Sequence, residues 1–369
     1  MNLPTLSQLL SPFPVDAFTR QFDNRAPVVL RPVISTPLDL PRLDAFVAER
    51  GLRWPTIHLE SAAGAVHPDG YSEPVAWGRG QAAYLVDVGA LRAGLERGER
   101  VVLAELQRHH GPTALLLRAY EQCTHMRGSA TAVLAPAEAE PRTPPVLAEH
   151  QYLLQCHGTR HCTVTGPDGE AEDFELVVGC VLYVPPGHQV STAPLRGPSL
   201  SLDMRLRPIR VRDLAAAELR SIPRDRLRAS VPVGLGQDPT TLATRWSELV
   251  NQLLDDVDHQ ETLEALVDRY VQTRLPLLRG QLKASTQSIR VDTAVRRRPV
   301  VMYRIVDKGD SVELRFHGKT ISFPRGTDEV VQYMASSERW TPADLENVPP
   351  EHQLAIVKRL VAEGFCELV

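Results

Sequence analysis

The stretch that most constrains the fold is Phe174-Glu-Leu-Val-Val-Gly-Cys-Val-Leu-Tyr-Val-Pro-Pro-Gly187. From Val177 to Val184 nearly every side chain is apolar, the pattern of a strand buried on both faces. Pro185-Pro186-Gly187 then stops it with a fixed turn. Upstream, Gln151 to Val164 is a β-type run broken at Gly158 by a tight turn, followed by a polar connection from Thr165 to Asp173. Downstream, Ser199-Leu-Ser-Leu-Asp-Met-Arg-Leu206 alternates, which predicts a strand with one wet face. Short strands joined by turns predict a double-sheet jelly roll.

Two motifs within these strands carry a resemblance. Gly179, Pro185 and Gly187 have the spacing of the second cupin motif, and Gln155-Cys-His-Gly158-Thr-Arg160 matches a Gln-x-x-Gly-x-Lys/Arg run. The stretch resembles the JmjC branch of the cupins, in particular the ribosomal oxygenases. That resemblance implies an α+β fold, a cupin/JmjC double-stranded β-helix core, and hydroxylation of ribosomal-protein side chains with Fe(II), 2-oxoglutarate and O2. It places the His-x-Asp ligands on Pro145 and Leu147, and the last His ligand on Val190. A facial triad needs two imidazoles and a carboxylate, and these three side chains have no lone pair to offer. Thr131 and Val133 stand where the family's Asn-x-Tyr pair seats 2-oxoglutarate, whereas Arg160 keeps the basic residue that grips its carboxylate. The expectation is a metal-free cavity with no cofactor, in which Arg160, Gln155, Thr131, Ser199, Ser201 and His188 could hold an anion. The alternative is an active enzyme, either an Fe(II)/2-oxoglutarate oxygenase with unusual ligands or a biosynthetic enzyme reusing the cavity.

A displaced metal site would have to come from His150, Cys156, His157, His161, Cys162 and His188. The spacing opposes it, because Cys156-His157 and His161-Cys162 are adjacent pairs and neighbours on a strand face opposite ways. Cys180 reads as a small core residue. No Gly-rich phosphate loop, nucleophile elbow or His-Glu-x-x-His motif is present.

With 369 residues the chain has room for more than one domain. Apolar residues at 43% and a net charge of −4 exclude a disordered chain and give no bulk drive toward nucleic acid or membrane. Five scattered Cys make no disulfide framework, and no apolar run is long enough to span a bilayer; the expectation is a cytoplasmic protein. Residues 1–208 read as the JmjC-like domain, its N-terminal part mixing helices with short strands. Residues 209–285 read as a helical dimerisation domain, with apolar spacing at 211–219, 239–257 and 260–274. Residues 286–369 resemble the winged helix that ends the ribosomal oxygenases, and also the peptide-recognition modules of natural-product pathways. Arg296-Arg297-Arg298 precedes the first strand of that domain rather than lying on a recognition helix, so DNA is not the expected partner. The expected function is a degenerate JmjC-like homodimer that binds a peptide or protein, such as a ribosomal protein or a biosynthetic precursor peptide.

Overall fold

The computed structural model describes residues 3–77, 81–228, 243–244, 246–248, 250–252, 257–346 and 348–369. The chain divides into two compact units, Met1–Pro208 and Ile209–Val369. No described helix is long and apolar enough to cross a membrane.

The first unit is built on strands β1 (Val28–Leu30), β2 (Ile57–Ser61), β3 (Gly64–Ala65), β4 (Ser72–Trp77), β5 (Gln81–Val86), β6 (Arg100–Leu103) and β7 (Arg127–Ala135). It continues with β8 (His150–His157), β9 (Arg160–Thr165), β10 (Ala171–Leu176), β11 (Val181–Val184), β12 (Gln189–Pro194) and β13 (Ser199–Arg207). Eight of them form one sheet in the order β1-β11-β8-β13-β7-β6-β2-β3, and β10-β9-β12 form a second. From β8 onward the chain passes back and forth between them, with β8, β11 and β13 in the large sheet and β9, β10 and β12 in the small one, as in a jelly roll.

Each face of the large sheet has its own core. Tyr152, Leu154, Leu200, Leu202, Met204 and Leu206 pack beneath helices such as Gly111–Thr124, which buries Leu116, Leu117 and Tyr120. That helix opens with Pro112 in its first turn and ends where His125 turns left-handed and donates its N–H to Glu121 O. Helix Leu40–Arg50 starts where the Asp39 side chain accepts from Arg42 N–H and stops at Gly51, φ 53°. The opposite face packs Leu153, Leu182 and Val184 onto Cys162, Val164, Leu176, Cys180 and Val190. Each fully buried aliphatic side chain contributes about 1.5–3 kcal/mol, so these two layers hold the sheets in register.

The second unit has two antiparallel ladders, β14 (Val295–Arg297) with β18 (Cys366–Leu368), and β15 (Tyr303–Asp307), β16 (Ser311–Phe316) and β17 (Lys319–Pro324) in that order. They surround one core that includes Leu314, Phe316, Met334, Trp340, Leu360 and Phe365. Helix His259–Gln272 joins the three-stranded ladder through Arg315 Nη1 to Asp268 Oδ2 at 2.8 Å, and meets helix Val211–Ser221 through His259 Nδ1 and Glu218 Oε1 at 2.8 Å.

One sequence expectation is corrected here. The apolar run 177–184 is not one buried strand: Val177 and Val178 are exposed in a turn closed by Cys180 N–H to Val177 O, and only Val181–Val184 is β11. The chain crosses there from one sheet to the other, and Gly179 at φ 88° supplies the left-handed residue. The stretch from Thr341 holds a single 3-10 turn, Pro342–Asp344, and β15 begins at Tyr303. The helix expected at 239–257, with Leu242, Leu249 and Leu253, lies largely outside the described residues.

Candidate functional site

Alternation on β13 decides what the jelly roll encloses. Leu200, Leu202, Met204 and Leu206 face the helices, so Ser199, Ser201, Asp203 and Arg205 face the other way. The sequence predicts that this second face is wet. It is turned inward instead, with Ser199 at 2% and Ser201 at 1% exposure, because the small sheet and the 141–147 segment cover it. Ser201 pairs with Gln155 on β8 and Val133 on β7, and Asp203 with Leu153 and Thr131.

Arg160 enters from the start of β9. It is 5% exposed and donates from Nη1 to Ser201 Oγ at 2.9 Å and to Asp203 Oδ1 at 3.3 Å. Gln155 donates from Nε2 to Ser199 Oγ at 2.9 Å and to His157 O at 2.6 Å. The Arg160 pKa is raised: burial works against the charge, but Asp203, together with Cys162 and Cys156, outweighs it. Removing water also pushes the Cys156 thiol up to about 12 and raises Cys162. Arg160 Nε and Nη2 and Gln155 Oε1 are buried with no hydrogen-bond partner. Each such orphan costs about 1–3 kcal/mol unless a ligand or water meets it.

Four of the six residues marked in the sequence thus form two separate hydrogen-bonded pairs on the inward face of β13, Arg160 with Ser201 and Gln155 with Ser199. Thr131 sits opposite Asp203 and is half-buried. His188 is buried in the turn after β11, with Nδ1 3.4 Å from Pro186 O. The Cys and His residues between 150 and 162 do not converge. Cys156 lies in the helix-side core, Cys162 in the inter-sheet core, His150 against Tyr183 OH at 3.0 Å, and His161 beside Asp173.

Pro145 and Leu147 line a cavity of about 340 Å³ with Glu60, Gly64, Arg100, Arg142 and Arg205. Val190 does not line it. It is 3% exposed and packed in the inter-sheet core, since it is paired with Val164 across β12–β9. The segment carrying Pro145 and Leu147 runs alongside β12: Arg142 bridges Thr192, Thr143 Oγ1 donates to Ser191 Oγ at 2.8 Å, and Gly187 N–H donates to Leu147 O.

No family model and no curated protein matches the chain. Solved structures do. YcfD of Escherichia coli is 18% identical with a TM-score of 0.58, each chain being covered in full. The ribosomal oxygenase YcfD in complex with cobalt and 2-oxoglutarate is 17% identical at TM-score 0.57, covering 97% of this chain and 98% of that one. A further YcfD structure, with cobalt and succinic acid, is 17% identical at TM-score 0.56 over the same shares. The chain has the JmjC/cupin fold of YcfD. At this identity the likeness is one of fold.

The residues of this chain do not fit a facial triad at the positions the sequence motifs mark. Pro145 is exposed, Leu147 half-buried and Val190 apolar-packed, and none carries a donor atom for a metal. Among the described residues, no group of three or more His, Cys, Asp or Glu side chains could hold a metal ion. Sequence reasoning missed Asp203, Arg205, Arg100, Arg142 and Glu60. The first two were legible, since they continue the Ser199, Ser201 alternation. The other three come from segments about 40 residues apart that only the sheet order brings together.

Proposed function

We propose that this chain is a JmjC-like protein of the ribosomal-oxygenase fold that holds a peptide or protein partner, with its jelly-roll cavity used for binding rather than for iron chemistry. The observation that carries this reading is the replacement of the ligand positions by Pro145, Leu147 and Val190 within an otherwise intact jelly roll. The partner is a ribosomal protein or a biosynthetic precursor peptide, and the working compartment is the cytoplasm. Residues 209–285 serve as a dimerisation region. Val211, Leu219, Leu263 and Val267 support that role, being exposed apolar side chains on helices Val211–Ser221 and His259–Gln272. Residues 286–369 form a winged-helix module, and the outer strands β15 and β17 of its ladder offer edges on which an extended peptide can pair.

A second reading is favoured by one observation. Arg160, with two orphaned guanidinium nitrogens, suits the carboxylate of 2-oxoglutarate, a molecule bound in one of the neighbouring structures. It would make the chain an oxygenase with unusual ligands. One experiment separates the two: load the purified protein anaerobically with Fe(II), measure bound iron, then measure succinate formed from 2-oxoglutarate in air. The binding reading expects little retained iron and no succinate above a blank. Stoichiometric iron with succinate formation returns the chain to the enzymes.

A further inference from the structure

The cavity beside Pro145 and Leu147 carries a charge pattern that the proposed function does not by itself explain. Its lining holds three arginines, Arg100, Arg142 and Arg205, against one carboxylate, Glu60, a surplus of two positive charges. Glu60 stands directly opposite Arg100 across β2–β6, the pairing that would neutralise it. It turns instead to Arg142, accepting from Nη2 at Oε1 at 3.2 Å, with Oε2 2.7 Å from Nε in an ion pair lacking hydrogen-bond alignment. Arg100 is 2% exposed, and its Nη2 is buried with no hydrogen-bond partner. Among the described residues neither Arg100 nor Arg205 has a carboxylate within ion-pair distance. The Arg100 pKa is lowered, by burial first and then by Arg142, while Glu60 and the exposed Glu140 oppose the shift. A buried guanidinium with a cationic neighbour and an unsatisfied N–H is an incomplete structure.

We propose that this cavity is a carboxylate-binding site, in which Arg100 and Arg205 grip an acidic group and Arg142, held by Glu60, forms the wall between them. Planar guanidinium groups match a carboxylate with paired N–H donors. No helix contributes to the lining, so no helix N-terminus offers its N–H groups to a ligand there. Pro141, Pro144, Pro145 and Leu147 supply an apolar wall for the methylenes of an aspartyl or glutamyl side chain or of a free dicarboxylate. The site is distinct from the Arg160 network, whose residues do not line this cavity. That the carboxylate belongs to a peptide rests on the binding function proposed above; that the site takes a carboxylate does not.

Isothermal titration of the full chain tests it with glutarate, with acetyl-Ala-Glu-Ala-amide and with the Gln counterpart of that peptide. The Glu peptide is expected to bind and the Gln peptide to bind about tenfold or more weaker, with a similar loss for Arg205→Gln and Arg100→Gln. Arg205 is only half-buried, so its variant keeps the test decisive if Arg100→Gln fails to fold. Binding of glutarate alone, with the same dependence on Arg205, supports the carboxylate site and removes the peptide from it. The proposal is overturned if neither ligand binds saturably. It is equally overturned if binding survives both variants and is lost in Arg160→Gln.

Discussion

At the scale of single residues, the jelly roll is marked by cations placed where water is not. Arg160 is paired with Asp203, whose side chain is 12% exposed, and donates a hydrogen bond to the Ser201 hydroxyl. Burying such a pair brings little net stability, because desolvation offsets the attraction, but removing one partner leaves a bare charge. Asp203→Ala is therefore expected to destabilise the fold by about 3–5 kcal/mol in urea unfolding. Arg160→Met, which removes the charge itself, is expected to cost less than Asp203→Ala. The reverse order would mean that the network holds the sheets together by attraction rather than tolerating a charge kept for a ligand.

At the scale of elements, the turns that pass the chain between sheets are the sensitive points. Gly158 joins β8 to β9 at φ 66°, and a Cβ there would lie 2.1 Å from Pro198 O. Gly169, at φ 88° between β9 and β10, would meet nothing within 4 Å. Gly169→Ala thus carries only the left-handed backbone cost, about 1–2 kcal/mol. Gly158→Ala carries that cost and a backbone clash as well, and should show the larger fall in midpoint by thermal melts of both variants. Equal losses would show that the Pro198 strand gives way freely. The turn at Gly158 was legible as a break in a β-type run, but its contact with Pro198 was not, since the two residues meet only when β13 returns beside β8.

At the scale of the whole molecule, the exposed apolar side chains of the second unit decide the expected assembly. Leu263 and Val267, four residues apart on one helix, are 50% and 42% exposed, and Trp246 is 55% exposed. A two-fold homodimer would cover them, so light scattering at micromolar concentration is expected to give twice the single-chain mass. Leu263→Glu with Val267→Glu is expected to shift that mass to the single chain while leaving the fold intact. A single-chain mass for the unsubstituted protein would remove the dimer.

Strands β8, β9 and β13 were readable from residue pattern because burial on a pleated sheet has a period of two, and proline and glycine mark strand ends. Gln155, Arg160, Ser199 and Ser201 were readable as polar side chains on strands, because each lies within a β-type run of the sequence. The inward turn of the polar face of β13 was not, because the sequence shows which residues share a face and not what covers it. The same limit applies to Val190, whose place between Val164 and Leu153 is set by the pairing of β12 with β9. Arg100, Arg142 and Arg205 come together only because β6 and β13 both border β7 while the 141–147 segment lies along β12. Electrostatic surplus is a property of that convergence in space, where charges distant along the chain share one desolvated volume, and no local pattern encodes it.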